Sequence, residues 1–175
     1  MSATETSRNV LFLCTGNTAR SLLAEAALNR LGRGRFSAYS AGSFPKGEVH
    51  PLTVRLLKQR GYTTDGLRSK SWDEFAAPGA PRMSFVITVC DNAANEVCPI
   101  WPGTPLKAHW GLPDPAAAKG TEADREMAFA ETHQVLTERI GAMLDLPFDA
   151  MDTTTLRRAL DAIGRGDGFA VKVAR

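Results

Sequence analysis

Residues 9–32 read NVLFLCTGNTARSLLAEAALNRLG, and they decide the fold because a strand, a loop and a helix follow one another directly. Residues 9–13 form an apolar run without alternation, which is typical of a parallel strand that is buried on both faces. Residues 19–31 are rich in Ala, Leu and Glu and predict a helix, which Gly32 ends. The short polar segment from Cys14 to Ser21 connects the two.

The rest of the chain continues the alternation of strands and helices. Further strands are predicted at residues 36–41, 84–90 and 106–110, and further helices at residues 51–60, 71–77, 122–146 and 153–163. Strands that alternate with helices form parallel sheets through right-handed crossovers. The sequence therefore predicts an α/β fold with helices on both faces of a parallel sheet.

Composition limits the class of protein. The net charge of +2 over 175 residues gives no basic patch for nucleic acid. No apolar run approaches the roughly 20 residues that cross a bilayer, and the first apolar run is too short for a signal peptide. We therefore expect a cytoplasmic protein that binds neither nucleic acid nor membrane. Its cysteines are too few for a disulfide framework and are expected to pack or react: Cys14, Cys90 and Cys98.

The loop that begins at Cys14 is predicted to bind an oxyanion. It joins a strand end to a helix start, where backbone N–H groups and the helix dipole favour negative charge. Gly16 and Asn17 tolerate the positive φ that such a loop requires. Arg20 can bind two oxygens of a tetrahedral anion with its planar guanidinium. The predicted oxyanion-binding residues are Thr15, Gly16, Asn17, Thr18, Ala19, Arg20 and Ser21.

Cys14 is the predicted nucleophile of this loop. A free thiol with a pKa of about 8.5 is only a few per cent thiolate at neutral pH. A helix N-terminus and a nearby guanidinium lower the pKa of a thiol, and Ser21 stands where it can donate a hydrogen bond to the sulfur. We therefore expect a low pKa for Cys14. The alternative is a buried structural cysteine beside an ordinary helix-opening turn.

Two further reactive groups follow predicted strands. Cys90 ends the strand at residues 84–90, and Asp114 lies just after the strand at residues 106–110. In open parallel sheets, ligands bind beyond the carboxyl ends of the strands. We therefore expect Cys14, Cys90 and Asp114 on the same rim of the sheet.

The Cys-x5-Arg-Ser loop directly after the first strand resembles the low-molecular-weight protein tyrosine phosphatase superfamily, which includes thiol-linked arsenate reductases. The likeness covers roughly residues 8–146 and includes YSAG at 39–42 and DP at 114–115. It implies a four-stranded parallel sheet in the order 2-1-3-4, in which Cys14 and Cys90 end adjacent strands about 4.8 Å apart. It also implies a phosphatase-like catalytic domain over residues 9–146, between a flexible tail (1–8) and a C-terminal extension with a short helix (147–175).

The resemblance implies a role for each reactive group. The Cys14 thiolate attacks the central atom of an oxyanion that Arg20 holds. Asp114 is the acid/base group: in a phosphatase it protonates the departing phenolate, and in a reductase it assists proton transfers around the departing hydroxyl or Cys14. The alternative for Asp114 is a turn residue before proline.

Three features favour the reductase branch. Asp114 and Pro115 are followed by three alanines, where the phosphatases carry aromatic residues that line a phosphotyrosine site. Leu22 follows the Arg-Ser pair, where those phosphatases usually have proline. Residues 88–99, TVCDNAANEVCP, resemble the redox segment of the reductases, and a matching HWG follows at 109–111.

The implied reductase mechanism uses three thiols. Cys14 forms a covalent arsenic adduct, Cys90 attacks the Cys14 sulfur and releases arsenite, and Cys98 then attacks Cys90. A helix over residues 90–98 would hold the two Cα atoms about 12 Å apart, beyond the roughly 7 Å limit of a disulfide, so this segment must unwind. It is one residue longer than in thioredoxin-linked reductases. The external reductant is therefore thioredoxin or glutathione with glutaredoxin.

Other interpretations of these residues remain open. Cys90 and Cys98 are alternatively inert core thiols, or zinc ligands together with His109. No tightly bound cofactor or metal is predicted, apart from a possible monovalent cation at positions that resemble those of some reductases: Asn17, Glu25, Ser40, Ser71 and Asp73. Arg68, Lys70 and Lys107 are interpreted as scattered surface charges, with added positive potential near the rim of the sheet as the alternative.

The sequence as a whole predicts an arsenate reductase that acts through Cys14 and a Cys90/Cys98 disulfide relay. Its ligand is a small inorganic oxyanion: arsenate, with phosphate or sulfate as a mimic. The alternative is a low-molecular-weight protein tyrosine phosphatase that hydrolyses phosphomonoesters through a Cys14 phosphoenzyme. A non-catalytic oxyanion-binding module is a third possibility, against which the presence of Cys14, Arg20 and Asp114 argues.

Overall fold

The computed structural model describes residues 7–95, 99 and 101–166. The strands are β1 (Arg8–Cys14), β2 (Phe36–Gly42), β3 (Phe85–Thr88) and β4 (Leu106–His109). The α-helices are α1 (Arg20–Leu31), α2 (Pro51–Gln59), α3 (Asp91–Asn95), α4 (Glu122–Leu144) and α5 (Thr153–Gly164). Short 3-10 helices cover Trp72–Phe75, Pro115–Ala117 and Phe148–Ala150.

All four strands are parallel and lie in the order β2-β1-β3-β4, which confirms the predicted order. The chain runs from β1 to β2 on one side and continues to β3 on the other side of β1. The strand order therefore reverses between β1 and β3, and ligands bind at such a switch point beyond the strand ends. Cys14 is the last residue of β1, and Cys90 follows β3 by two residues.

β1 is enclosed on both faces, which explains its unbroken apolar run. Val10, Leu11, Phe12 and Leu13 have no exposed surface. Val10 and Phe12 point to one face of the sheet and pack with buried side chains of α1, α2, α4 and α5. Leu11 and Leu13 point to the other face. There they pack with side chains from the 3-10 helix at Trp72–Phe75 and from the neighbouring loops: Phe75, Met83 and Trp101.

The C-terminal helix α5 lies along β4, the edge strand of the sheet. The Trp110 indole N–H donates to the Leu160 carbonyl at 2.8 Å, and the His109 N–H donates to the Asp161 carboxylate at 3.3 Å. Leu160 and Ile163 are buried in the core. Because α5 takes up a backbone donor at the edge strand, it shields that edge from pairing with another chain.

Some boundaries differ from those predicted. β1 begins one residue early at Arg8, which pairs with Phe36. β3 ends at Thr88 rather than at residue 90, and a short helix begins at Asp91. The predicted helix at 71–77 is a four-residue 3-10 helix. Helix α4 ends two residues early because Pro147 disfavours a helical conformation at the residue before it.

Within the described part of the chain, no helix is long and apolar enough to cross a membrane.

Candidate active site

The loop from Cys14 to Arg20 leaves the carboxyl end of β1 and leads directly into α1. Asn17 is fully buried and has a φ of 50°, so it adopts the left-handed conformation that was expected in this loop. Gly42 pairs with Cys14 in the sheet, and a Cβ there would collide with the Thr15 carbonyl oxygen. The last residue of YSAG is therefore a glycine because the loop passes so close to β2.

The loop closes around the Cys14 sulfur. The Asn17 N–H donates to Sγ at 3.2 Å, and the Ser21 hydroxyl oxygen lies 2.9 Å from Sγ. The Ser21 N–H also donates to the sulfur. The expected contact between Ser21 and Cys14 is thus present, and three donors stand where they stabilise a thiolate.

The pKa of Cys14 does not follow the prediction. Burial raises the pKa of the thiol, which is only 3% exposed, and this outweighs the hydrogen bonds from Ser21 and Asn17 that lower it. A negative charge on Cys90 raises it further. The prediction of a low pKa considered the helix N-terminus and Arg20 and left out the loss of water around the sulfur.

Arg20 and Asp114 come together above the loop. Arg20 Nη1 donates to the Leu112 carbonyl at 3.1 Å, and Nη2 lies 3.8 Å from the Asp114 carboxylate. The other carboxylate oxygen of Asp114 accepts the Ala116 N–H at 3.0 Å. Arg139 supports the same loop by donating to the Trp110 and Gly111 carbonyls. Asp114 therefore both caps a 3-10 helix and faces the arginine of the anion loop.

Cys90 lies beside the loop, but it is not directly opposite Cys14 in the register of β1 and β3. Leu13 pairs with Thr88 and accepts the Val89 N–H, so Cys90 is one residue beyond the position opposite Cys14. Its sulfur is 3.5 Å from the Thr15 hydroxyl oxygen, and it accepts the Ala93 N–H at 3.4 Å. Both thiols are free and buried. A disulfide between Cys14 and Cys90 would require their sulfurs to approach to about 2.05 Å.

Cys98 lies outside the described residues, so its predicted place in the relay stays a prediction. His109, the third member of the zinc alternative, uses both ring nitrogens: Nδ1 is 2.6 Å from the Thr88 hydroxyl, and Nε2 is 2.8 Å from the Asp91 carboxylate. Among residues 7–95 and 101–166, no three His, Cys, Asp or Glu side chains are grouped so as to hold a metal ion.

A groove of about 520 Å³ runs from the anion loop to the start of α3. Arg20 of the Cys14 loop and the Cys90 thiol both line it, whereas Cys14 itself is not among its lining residues. Its lining residues are Arg20, Cys90, Asp91, Asn92, Gly111, Leu112, Pro113 and Asp114.

Lys70 is buried, which corrects its interpretation as a surface charge. The residue is only 8% exposed. Its ammonium donates to the Arg68 carbonyl at 3.0 Å and to the Ser40 hydroxyl at 3.3 Å, and it lies 3.8 Å from the Glu25 carboxylate. A lysine in a loop is usually solvated, and no local pattern in the sequence marks this one as buried.

Phe44 is a second residue that the sequence argument passed over. It follows β2, its N–H donates to the Thr15 carbonyl at 2.9 Å, and its side chain is 72% exposed. Since the backbone of Phe44 is hydrogen-bonded to the anion loop, its exposed aromatic side chain is a candidate contact for whatever approaches that loop.

The fold and the loop define the class: a parallel α/β protein whose first strand runs into a loop that encloses a cysteine sulfur and turns into a helix. The chain belongs to the low molecular weight phosphotyrosine protein phosphatase family, whose model matches residues 9–158.

Relatives in this family include arsenate reductases. That of Halalkalibacterium halodurans is 34% identical over 131 residues, which cover 75% of this chain and 91% of that protein. The solved arsenate reductase of Archaeoglobus fulgidus is 28% identical with a TM-score of 0.57, over 75% of this chain and 98% of that one. The thioredoxin-dependent arsenate reductase of Corynebacterium glutamicum is 25% identical with a TM-score of 0.55. The match covers 78% of this chain and 61% of that protein.

Proposed function

We propose that this protein is an arsenate reductase in which Cys14 is the nucleophile and Cys90 is the second thiol of the pair that supplies the two electrons. The observation that carries the proposal is the second buried thiol, whose sulfur lies 3.5 Å from Thr15 of the Cys14 loop. Hydrolysis of a phosphate ester needs one thiol, whereas reduction of arsenate requires two electrons that a pair of thiols supplies. The similarity to arsenate reductases supports the same choice.

The first step is attack of the Cys14 thiolate on arsenic. The N–H groups of residues 15–21 and the Arg20 guanidinium hold the arsenate oxygens. The sulfur–arsenic bond forms and one arsenic–oxygen bond breaks, so that a hydroxyl departs as water with a proton from Asp114. The 3.8 Å between Arg20 and Asp114 favours this assignment because an anion that Arg20 holds also lies next to the acid.

The second step reduces the arsenic. The Cys90 thiolate attacks the Cys14 sulfur, and the electron pair of the sulfur–arsenic bond stays with arsenic, which leaves as arsenite. The two thiols become a Cys14–Cys90 disulfide, and this accounts for both electrons. The groove that Arg20 and Cys90 line leaves open space beside the Cys90 thiol.

Cys98 then attacks Cys90 and frees Cys14, and an external reductant opens the Cys90–Cys98 disulfide. Thioredoxin and glutathione with glutaredoxin are both candidates for this reductant. The relative from Corynebacterium glutamicum is described as thioredoxin-dependent, which favours thioredoxin. A cytoplasmic location agrees with this chemistry because such reductants keep cytosolic thiols reduced.

A phosphatase is the second candidate function, and Phe44 favours it. Residues 116–118 are alanines, but Phe44, whose backbone N–H donates to the Thr15 carbonyl, carries an exposed ring that is available to stack on an aryl group. Aryl phosphate hydrolysis would use the same Cys14, Arg20 and Asp114. Some hydrolysis of aryl phosphates is therefore expected even if arsenate is the substrate.

The two functions are separated by measuring arsenate-dependent NADPH oxidation beside para-nitrophenyl phosphate hydrolysis on the same preparation. NADPH oxidation is coupled once through thioredoxin and its reductase and once through glutathione and glutaredoxin. We expect arsenate turnover with one of the two systems and slow hydrolysis of the ester. Efficient hydrolysis with no arsenate turnover in either system would make the protein a phosphatase.

A further inference from the structure

We propose that the buried ammonium of Lys70 is the resident cation of the active site: it orders the hydrogen bonds that reach Cys14, and it takes the place of a bound monovalent cation. Lys70 is thus a positioning residue for the nucleophile. The inference rests on Cys14 as the nucleophile of the proposed function, and it does not depend on whether arsenate or a phosphate ester is the substrate.

The surroundings of the ammonium are those that a hard cation prefers. Its neighbours are three oxygens of different kinds: the Arg68 carbonyl at 3.0 Å, the Ser40 hydroxyl at 3.3 Å and the Glu25 carboxylate at 3.8 Å. Oxygen atoms of carbonyls, hydroxyls and carboxylates are typical ligands of hard cations. Glu25 and Ser40 are also two of the residues at which the sequence suggested a monovalent cation.

A chain of hydrogen bonds leads from the ammonium to the nucleophile. Ser40 accepts from Lys70 and from the Asn17 amide at 3.1 Å, so its own hydrogen goes to Glu25 at 3.3 Å. The Asn17 amide also donates to the Ser21 hydroxyl at 2.7 Å. Ser21 then has its hydrogen free for the Cys14 sulfur at 2.9 Å.

The backbone of Lys70 fixes the direction of this chain. Its N–H donates to the Asn17 side-chain oxygen at 2.9 Å, so the amide nitrogen of Asn17 has to face Ser21 and Ser40. Its carbonyl accepts the Gly42 N–H at 2.9 Å and ties the segment to β2. Ser21 is therefore held as a donor to sulfur, the arrangement that favours a thiolate.

The positive charge of Lys70 and the hydrogen bonds described above both favour the Cys14 thiolate. Burial lowers the pKa of Lys70, and Arg68 lowers it as well, while Glu25, Glu74 and a Cys14 thiolate raise it. Burial likewise raises the pKa of Glu25, and Lys70 opposes that effect. Since the attraction between two charges is mutual, a protonated Lys70 favours the Cys14 thiolate in turn.

The test compares Lys70→Ala with the wild-type protein. The rate of Cys14 alkylation by iodoacetamide is followed by peptide mass spectrometry from pH 5 to pH 10, at constant ionic strength in choline, sodium, potassium or ammonium chloride. For the wild type we expect the same profile in all four salts. For Lys70→Ala in choline we expect alkylation at pH 7 to slow about tenfold, which corresponds to a rise of about one unit in the pKa of Cys14.

Rescue by a small cation separates the proposed role from a structural one. Lys70→Ala leaves space among the three oxygens, so potassium or ammonium is expected to restore most of the lost rate. Lys70→Gln keeps a hydrogen-bond donor without the charge and decides the matter if the alanine variant does not fold; it is expected to slow alkylation with no rescue. Lys58→Met, at an exposed position on α2, is the matched control and is expected to behave as the wild type.

Three results would overturn the proposal. One is a wild-type rate that changes severalfold between choline and potassium. Another is a folded Lys70 variant with the wild-type pH profile. The third is a slowed Lys70→Ala variant that no small cation restores. None of these measurements uses arsenate, so a protein without reductase activity would refute the proposed function and leave this inference standing.

Discussion

Replacing Cys14 by serine is expected to abolish arsenate reduction and aryl phosphate hydrolysis together, while anion binding persists. A serine hydroxyl is hardly ionised in a buried site and is a weak nucleophile there, so both reactions lose their first covalent step. The expected loss is on the order of 10⁴-fold or more in kcat, as is common for a catalytic nucleophile. The groups that hold the anion, Arg20 and the loop N–H groups, are unchanged. Phosphate binding is therefore expected to stay within a few-fold when it is measured by titration calorimetry.

The thermal unfolding temperature of Cys14→Ser serves as the control for folding. A variant that folds and binds phosphate but keeps a tenth or more of either activity would show that another group attacks the oxyanion. Loss of phosphate binding in a folded variant would instead mean that the sulfur, rather than the loop backbone, organises the anion site.

Replacing Cys90 by serine is expected to separate the two reactions. Arsenate reduction needs a second thiol to attack the Cys14 sulfur, so its rate is expected to fall on the order of 10³-fold or more, about 4 kcal/mol in activation free energy. Ester hydrolysis ends when water attacks the Cys14 adduct and is expected to stay within about threefold. The hydroxyl of serine preserves the contact that the Cys90 sulfur makes with Thr15 at 3.5 Å.

This prediction is checked by running both assays on one preparation of the variant. Cys14→Ser is the matched substitution, because it makes the same chemical change and should stop both reactions. Undiminished arsenate turnover in Cys90→Ser would remove Cys90 from the relay and with it the mechanism proposed above. An equal loss of hydrolysis would mean that Cys90 stabilises the structure of the loop rather than taking part in the transfer of electrons.

The first strand and the position of the anion loop were predictable because local pattern decides them. The unalternating run at residues 9–13 indicates a strand covered on both faces, and Leu11 and Phe12 do face opposite cores. The strand order came from the family resemblance, and the sheet confirms it. The packing of α5 on Trp110 was not predictable, since it depends on contacts between residues 50 positions apart.

Sequence reasoning named the chemical groups of the candidate site, but it predicted the electrostatics of that site only in part. Arg20 and Asp114 lie 3.8 Å apart. The raised pKa of Cys14 and the burial of Lys70 both follow from removal of water, which no short sequence pattern records. The offset between Cys14 and Cys90 depends on the register of β1 against β3, and a shift of one residue in that register is not visible in the sequence.

The central claim is that a pair of thiols in this chain reduces arsenate, and a single turnover without external reductant tests it most directly. The fully reduced protein is mixed with excess arsenate, arsenite is measured, and the disulfides are mapped by mass spectrometry after alkylation. We expect about one arsenite per protein, together with one intramolecular disulfide that joins Cys90 to Cys14 or to Cys98, as a two-electron exchange requires. Arsenite absent and all three thiols still free to alkylate would contradict the account.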